Sequence, residues 1–101
     1  MADKTSISNE SSVSNKLEEP GLFNVLLHND DYTSMDFVVD VLVSIFRKNS
    51  VEASKIMMEV HKKGAGIAGV YPYDIGITKV HEVKRRAKVE KYPLLCTLEK
   101  V

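Results

Sequence analysis

The sequence predicts an α+β sandwich: a small three-stranded antiparallel sheet with three helices, in the order β-α-α-β-α-β. Three observations point there. Apolar residues alternate at period two over Phe23–Leu27, and β-prone runs recur at Ile67–Tyr71 and Leu94–Glu99. Between them lie three stretches with apolar residues at helical spacing, most of them framed by capping signals. Roughly 80 residues hold the whole pattern, enough for one modest core that buries roughly 60–65% of the unfolded surface.

In chain order, residues 1–20 come first. They carry five serines, mixed charge and scattered apolar residues without period. A disordered tail is expected there, too poor in apolar surface to offset its ordering entropy. It reads either as a passive leader or as a segment that another molecule grips. Pro20-Gly21 marks the change to the domain proper, expected over 21–101. In the first strand Phe23, Val25 and Leu27 alternate with Asn24, Leu26 and His28. Thr33 to Asp36 reads as an N-cap with an acid three residues on. Met35, Val38, Val41, Leu42, Ile45 and Phe46 then recur as one helix face.

Asn49-Ser-Val-Glu52 opens the second helix, on which Ala53, Met57 and Val60 share a face with His61 just beyond. Lys62-Lys63-Gly64 closes it, with cations in the last turn and a glycine after it. Gly64-Ala-Gly-Ile-Ala-Gly69 fits G-x-G-x-x-G literally. A helix precedes it and β-prone residues follow, the reverse of what a dinucleotide site requires. The segment is expected instead to be a strand whose missing side chains admit a close neighbour. Pro72 opens a third helix, from Tyr73 to about Lys91, with Ile77, Val80, Val83 and Ala87 on one side and an awkward early Gly76. Tyr92-Pro93 breaks it before the closing strand.

Composition removes several classes of function. Fourteen basic residues balance fourteen acidic ones, so nothing in the total favours nucleic acid or an anionic membrane. No apolar run approaches the ~20 residues of a membrane span. Cys96 is the only cysteine, which fits a reducing cytoplasm.

The polar junction His28-Asn29-Asp30-Asp31, between a strand and a helix, is where chemistry concentrates. As an enzyme site it reads poorly. Adjacent aspartates on an extended backbone point to opposite sides and cannot share a proton. Cys96 lies in a strand, the place of an inert thiol. His28, Asp31 and His61 form a metal set only on paper, without the spacing of a known motif. No cofactor is implied. A binding site reads better. The acceptors suit a small cation with several N–H donors, such as an amino terminus. Met35, Val38, Met57 and Val60 would supply an apolar wall beside it. The plainer alternative is a solvated turn next to ordinary core.

Asn29-Asp-Asp-Tyr-Thr33, Met35-Asp-Phe-Val-Val-Asp-Val-Leu42, Val60-His61, Gly69-Val70, Lys79-Val80 and Pro93-Leu-Leu-Cys-Thr-Leu-Glu-Lys100 together closely resemble the ClpS family. These are adaptors that hand N-degron proteins to the Clp AAA+ protease. The resemblance covers about Phe23 to Val101 and implies the same fold. It implies that Asn29, Asp30 and His61 recognise a substrate's α-amino group, with Asp31 and Thr33 bordering the pocket. It further implies that Met35 gates against β-branched side chains, and that Val38, Met57, Val60 and Leu94 line the pocket. Asp74 and Lys79 would contact the N-terminal domain of a Clp ATPase. Ser34 stands where the family commonly has proline, Ala68 where it has cysteine, and Pro72 replaces a usual helix-capping residue.

The expectation is therefore a monomeric, non-catalytic cytoplasmic adaptor that holds proteins by an N-terminal Leu, Phe, Tyr or Trp. The alternative from another class is a nucleic-acid- or ribosome-associated protein that uses the basic run from Lys84 to Lys91.

Overall fold

Alternation along β1 (Leu22–His28) decides which side of the sheet carries the core. Val25 and Leu27 are fully buried, while Asn24, Leu26 and His28 between and beside them are only half-covered. The computed structural model describes residues 21–101; the expected tail over 1–20 lies outside the described residues. After β1 come α1 (Met35–Ser44), α2 (Ser50–Lys63), β2 (Ala65–Pro72), α3 (Tyr73–Glu90) and β3 (Leu95–Lys100). The order is the predicted one. The strands pair antiparallel as β2-β1-β3, with β1 in the centre. The β1 register against β2 jumps from Val25↔Gly69 to Leu26↔Ile67, so Ala68 is the extra residue of a β-bulge.

The buried faces of all three helices meet that side of the sheet in one cluster. Val41 and Leu42 of α1, Ala53 of α2 and Val83 of α3 are fully buried in it with Val25 and Leu27. A Leu27→Ala change would cost about 2–5 kcal/mol, the transfer term plus the cavity left behind.

The helix ends explain the element boundaries, with one correction. Ser34, not Thr33, is the N-cap of α1: its hydroxyl accepts from the Phe37 N–H at 3.1 Å. Thr33 is unavailable because Asp30 already holds both its N–H and its hydroxyl. Asn49 caps α2 as expected, accepting from the Glu52 N–H at 2.8 Å. Gly64 ends α2 in the left-handed conformation, φ 92°. The glycine-rich segment is a strand. A Cβ on Gly66 would stand 2.9 Å from Val60 Cγ2, so the bare backbone lets α2 lie close against β2. Gly76 in α3 faces only the end of a side chain at close range: a Cβ there would stand 2.8 Å from Leu98 Cδ2.

Candidate functional site

The loop after β1 is built by two backbone decisions. The Asn29 N–H donates to the Gly64 carbonyl at 2.9 Å, which ties the loop to the end of α2. Asp30 then folds the next residues around its own carboxylate. Its Oδ1 accepts from the Tyr32 N–H at 2.8 Å and the Thr33 N–H at 2.7 Å, and its Oδ2 accepts from the Thr33 hydroxyl at 2.8 Å. This is an Asx turn, the reason an aspartate starts such a loop. Partial burial pushes the Asp30 carboxyl up, but the hydrogen bonds from Thr33 and Tyr32 outweigh it and hold the group below its ordinary value. Asp30 thus remains charged at neutral pH.

The loop hands directly into α1. Met35, the first residue of that helix, is 43% exposed, while Val38 one turn later is buried. Across from them α2 contributes half-buried Met57, buried Val60 and exposed His61 in its last turn. These five and the loop residues Asn29, Asp30, Asp31 and Thr33 enclose one cavity of about 270 Å³. That lies just below the roughly 300–1,000 Å³ of ordinary small-molecule clefts, a size for one side chain rather than an extended ligand. Amide, carboxylate, hydroxyl and imidazole groups stand among its lining residues together with methionine and valine. Such a site can accept hydrogen bonds from an ammonium while an apolar side chain fills the interior.

All nine lining residues are among those the sequence singles out. The structure leaves the other singled-out residues elsewhere. Leu94 is 7% exposed in the core and does not line the cavity. Asp74 is exposed in the first turn of α3, its Oδ1 accepting from the Ile75 N–H at 2.9 Å. Lys79 is half-buried. Its Nζ donates to the Ile45 carbonyl at 2.7 Å and sits 5.9 Å from the Tyr71 ring centroid. Five positions along α3 set Lys79 roughly 140° around the helix from Asp74. His28, the paper metal ligand, is absent from the lining; its Nε2 meets the Thr97 hydroxyl at 2.8 Å. Burial pushes the Cys96 thiol up to about 12, so it stays protonated and unreactive.

The partnerships within the site were the part that sequence reasoning missed. Asp30 serves the loop as well as the cavity, and the signal was present as an aspartate three residues before a threonine. The basic stretch of α3 also divides. Lys84, Arg85 and Lys88 are exposed, whereas Arg86 turns onto α1 and pairs with Asp40 at 2.6 Å.

A family model described as the ATP-dependent Clp protease adaptor protein ClpS matches residues 18–97. The chain belongs to the ClpS family. The ClpS adapter protein of Clostridium acetobutylicum is 48% identical over 101 residues, the full length of both chains. That of Oleidesulfovibrio alaskensis is 56% identical over 86 residues, 85% of this chain and 83% of its own. Among solved structures, Agrobacterium tumefaciens ClpS2 bound to L-phenylalaninamide superposes with a TM-score of 0.80. It is 36% identical and covers 82% of this chain and 100% of its own. This ClpS chain is accordingly an adaptor of the ATP-dependent Clp protease with the α+β fold described above. None of its described helices is long and apolar enough to cross a membrane.

Proposed function

We propose that the cavity between α1 and α2 holds a protein by its first residue. A bulky unbranched or aromatic side chain (Leu, Phe, Tyr or Trp) fills the apolar interior, and the α-ammonium group meets Asn29, Asp30 and His61. One observation carries this reading: hydrogen-bond acceptors and an apolar wall converge on one cavity sized for a single side chain. The Agrobacterium relative is described as bound to L-phenylalaninamide, a ligand that combines a free amino group with a benzyl side chain. Asp31 and Thr33 border the mouth, and Met35 stands at the first turn of α1 as the gate.

The adaptor binds without chemistry of its own. Asp30 gives three of its roughly four lone-pair sites to the loop, which leaves one for the ammonium, and the protonated thiol of Cys96 is no nucleophile. Delivery requires a second surface. We place it at the start of α3, where Asp74 presents its carboxylate and Lys79 its remaining N–H donors to the N-terminal domain of a Clp ATPase, in the cytoplasm and with the adaptor as a monomer.

The reading is tested by degradation of two reporters that differ only in beginning with Leu or with Ala. Adding the adaptor to a Clp ATPase and its protease should accelerate loss of the Leu reporter and leave the Ala reporter unchanged. Acceleration of both, or of neither, would contradict it.

A further inference from the structure

Helix α1 carries the gate, yet its backbone packs chiefly against α2. Its apolar face is buried in the core, and long side chains from α3 add a further hold. Lys79 and Arg86 lie seven residues apart on α3, two turns of helix, and so project from the same face. The Lys79 ammonium donates to the Ile45 carbonyl, at the C-terminal end of α1, at 2.7 Å. A cation there also meets the negative end of the helix dipole. Two turns on, Arg86 uses both ends of its guanidinium. Nη2 meets Asp40 Oδ2 at 2.6 Å, and Nη1 donates to Ser44 Oγ at 3.0 Å. Ser44 Oγ in turn donates to the Asp40 carbonyl at 2.7 Å, which fixes the acceptor that Arg86 reaches.

The same guanidinium carbon lies 5.6 Å from the centre of the Phe37 ring, and Phe37 packs on Tyr92 with ring centres 4.9 Å apart. Phe37 stands between Met35 and Val38 in sequence. The ties to α3 therefore run from the residue beside the gate to the last turn of the helix.

We propose that Lys79 and Arg86 are positioning residues of the binding cavity. They set the tilt of α1, and through it the separation between the gate at Met35 and the wall that Met57 and Val60 form on α2. This rests on the binding reading above and extends it to specificity. The Arg86–Asp40 pair is partly exposed, with side chains 31% and 58% accessible, and pairs of that kind contribute little to global stability. Removing it is expected to shift the position of a helix while the domain stays folded. A gate that excludes branching by steric clash is sensitive to such a shift, because repulsion rises steeply over tenths of an ångström.

The test is the double variant Lys79→Met, Arg86→Met, with Lys84→Met on the exposed side of the same helix as control. Amide hydrogen exchange should quicken by about tenfold across Met35–Ser44, with α2 and the sheet unchanged. The preference for Leu-initiated over Ile-initiated peptides should fall by about threefold or more. Lys79→Arg, which keeps a donor at that place, should retain most of the preference. Unchanged exchange in α1 overturns the clamp. Quickened exchange with the Leu preference intact overturns its link to the gate. A wild-type protein that binds no Leu-initiated peptide overturns the binding reading itself, a result independent of the exchange data.

Discussion

The backbone N–H of Asn29 donates to the carbonyl of Gly64 across 2.9 Å, joining the loop after β1 to the end of α2 at the cavity. The bond depends on how α2 stops. Gly64 holds a φ of 92°, and a Cβ added there would meet nothing within 4 Å. The cost of Gly64→Ala is therefore backbone strain alone, about 1–2 kcal/mol. Urea unfolding should show that loss, and binding of a Leu-initiated peptide should weaken with it as the loop slackens. An alanine variant as stable as wild type would show that this turn tolerates side chains.

Two other glycines give opposite expectations. A methyl on Gly66 would press Val60 Cγ2 at 2.9 Å and approach the Ile56 carbonyl at 3.5 Å. Val60 is buried and stiff at χ1, so α2 itself must move. Gly66→Ala should cost about 1–3 kcal/mol. A methyl on Gly76 meets the tip of Leu98, which can swing away, and alanine favours the helix by up to about 1 kcal/mol. Gly76→Ala should be close to neutral. Paired denaturation curves check the contrast, and equal losses would contradict it.

These glycines also show what the sequence could reveal. The strand reading of Gly64–Gly69 followed from local order, a helix before and β-prone residues after. The caps at Asn49 and Gly64 were legible for the same reason, since each acts within four residues. The N-cap of α1 was misplaced by one residue because Thr33 is captured by Asp30, a competition that pattern alone does not rank. Leu94, implied by resemblance to line the pocket, lies in the core instead of lining the cavity. By resemblance the sequence reads Lys79 as a partner contact, and it places Arg86 in the basic run from Lys84 to Lys91; neither reading carries the ties to α1. Their partners Ile45 and Asp40 lie 34 and 46 residues away, beyond any local signal.

Asp30 separates loop-building from charge. Asp30→Asn keeps a carbonyl that can accept a backbone N–H but removes the charge. Stability at pH 7 should fall only by the weakening of these bonds, about 0.5–1.5 kcal/mol. Peptide binding should fall by about tenfold or more, since charged hydrogen bonds are the stronger ones. The sign of the pH effect follows from the lowered value of the folded state. The contribution of Asp30 is present above its unfolded value near 3.9 and is lost as pH falls through the folded one. Stability measured from about pH 5 down to 2 should therefore drop less steeply in the variant. A variant that binds as tightly as wild type would remove the Asp30 charge from the amine site.

The gate prediction concerns Met35. Its exposed side chain stands at the first turn of α1 and lines the cavity, where the proposed reading brings in the Cβ of a bound first residue. Ile and Val carry two heavy substituents there and cannot rotate one aside. Met35→Ala should gain measurable binding of Ile- and Val-initiated peptides, while Leu binding loses at most about 1–2 kcal/mol of apolar contact. Fluorescence titration of the three peptides against both proteins decides it. Continued exclusion of Ile by the alanine variant would move the discrimination to Val38 or Met57.

The most direct test of the account compares one peptide with and without its amine. Calorimetric titration at pH 7 should show a Leu-initiated peptide binding at one site per chain, and its acetyl-Leu counterpart binding about 100-fold more weakly, a difference of about 2.7 kcal/mol. The acetyl group removes the charge and N–H donors that Asn29, Asp30 and His61 are proposed to meet, and it leaves the leucine side chain untouched. Equal affinity for the two peptides would contradict recognition of the α-amino group and reduce the cavity to an apolar hole.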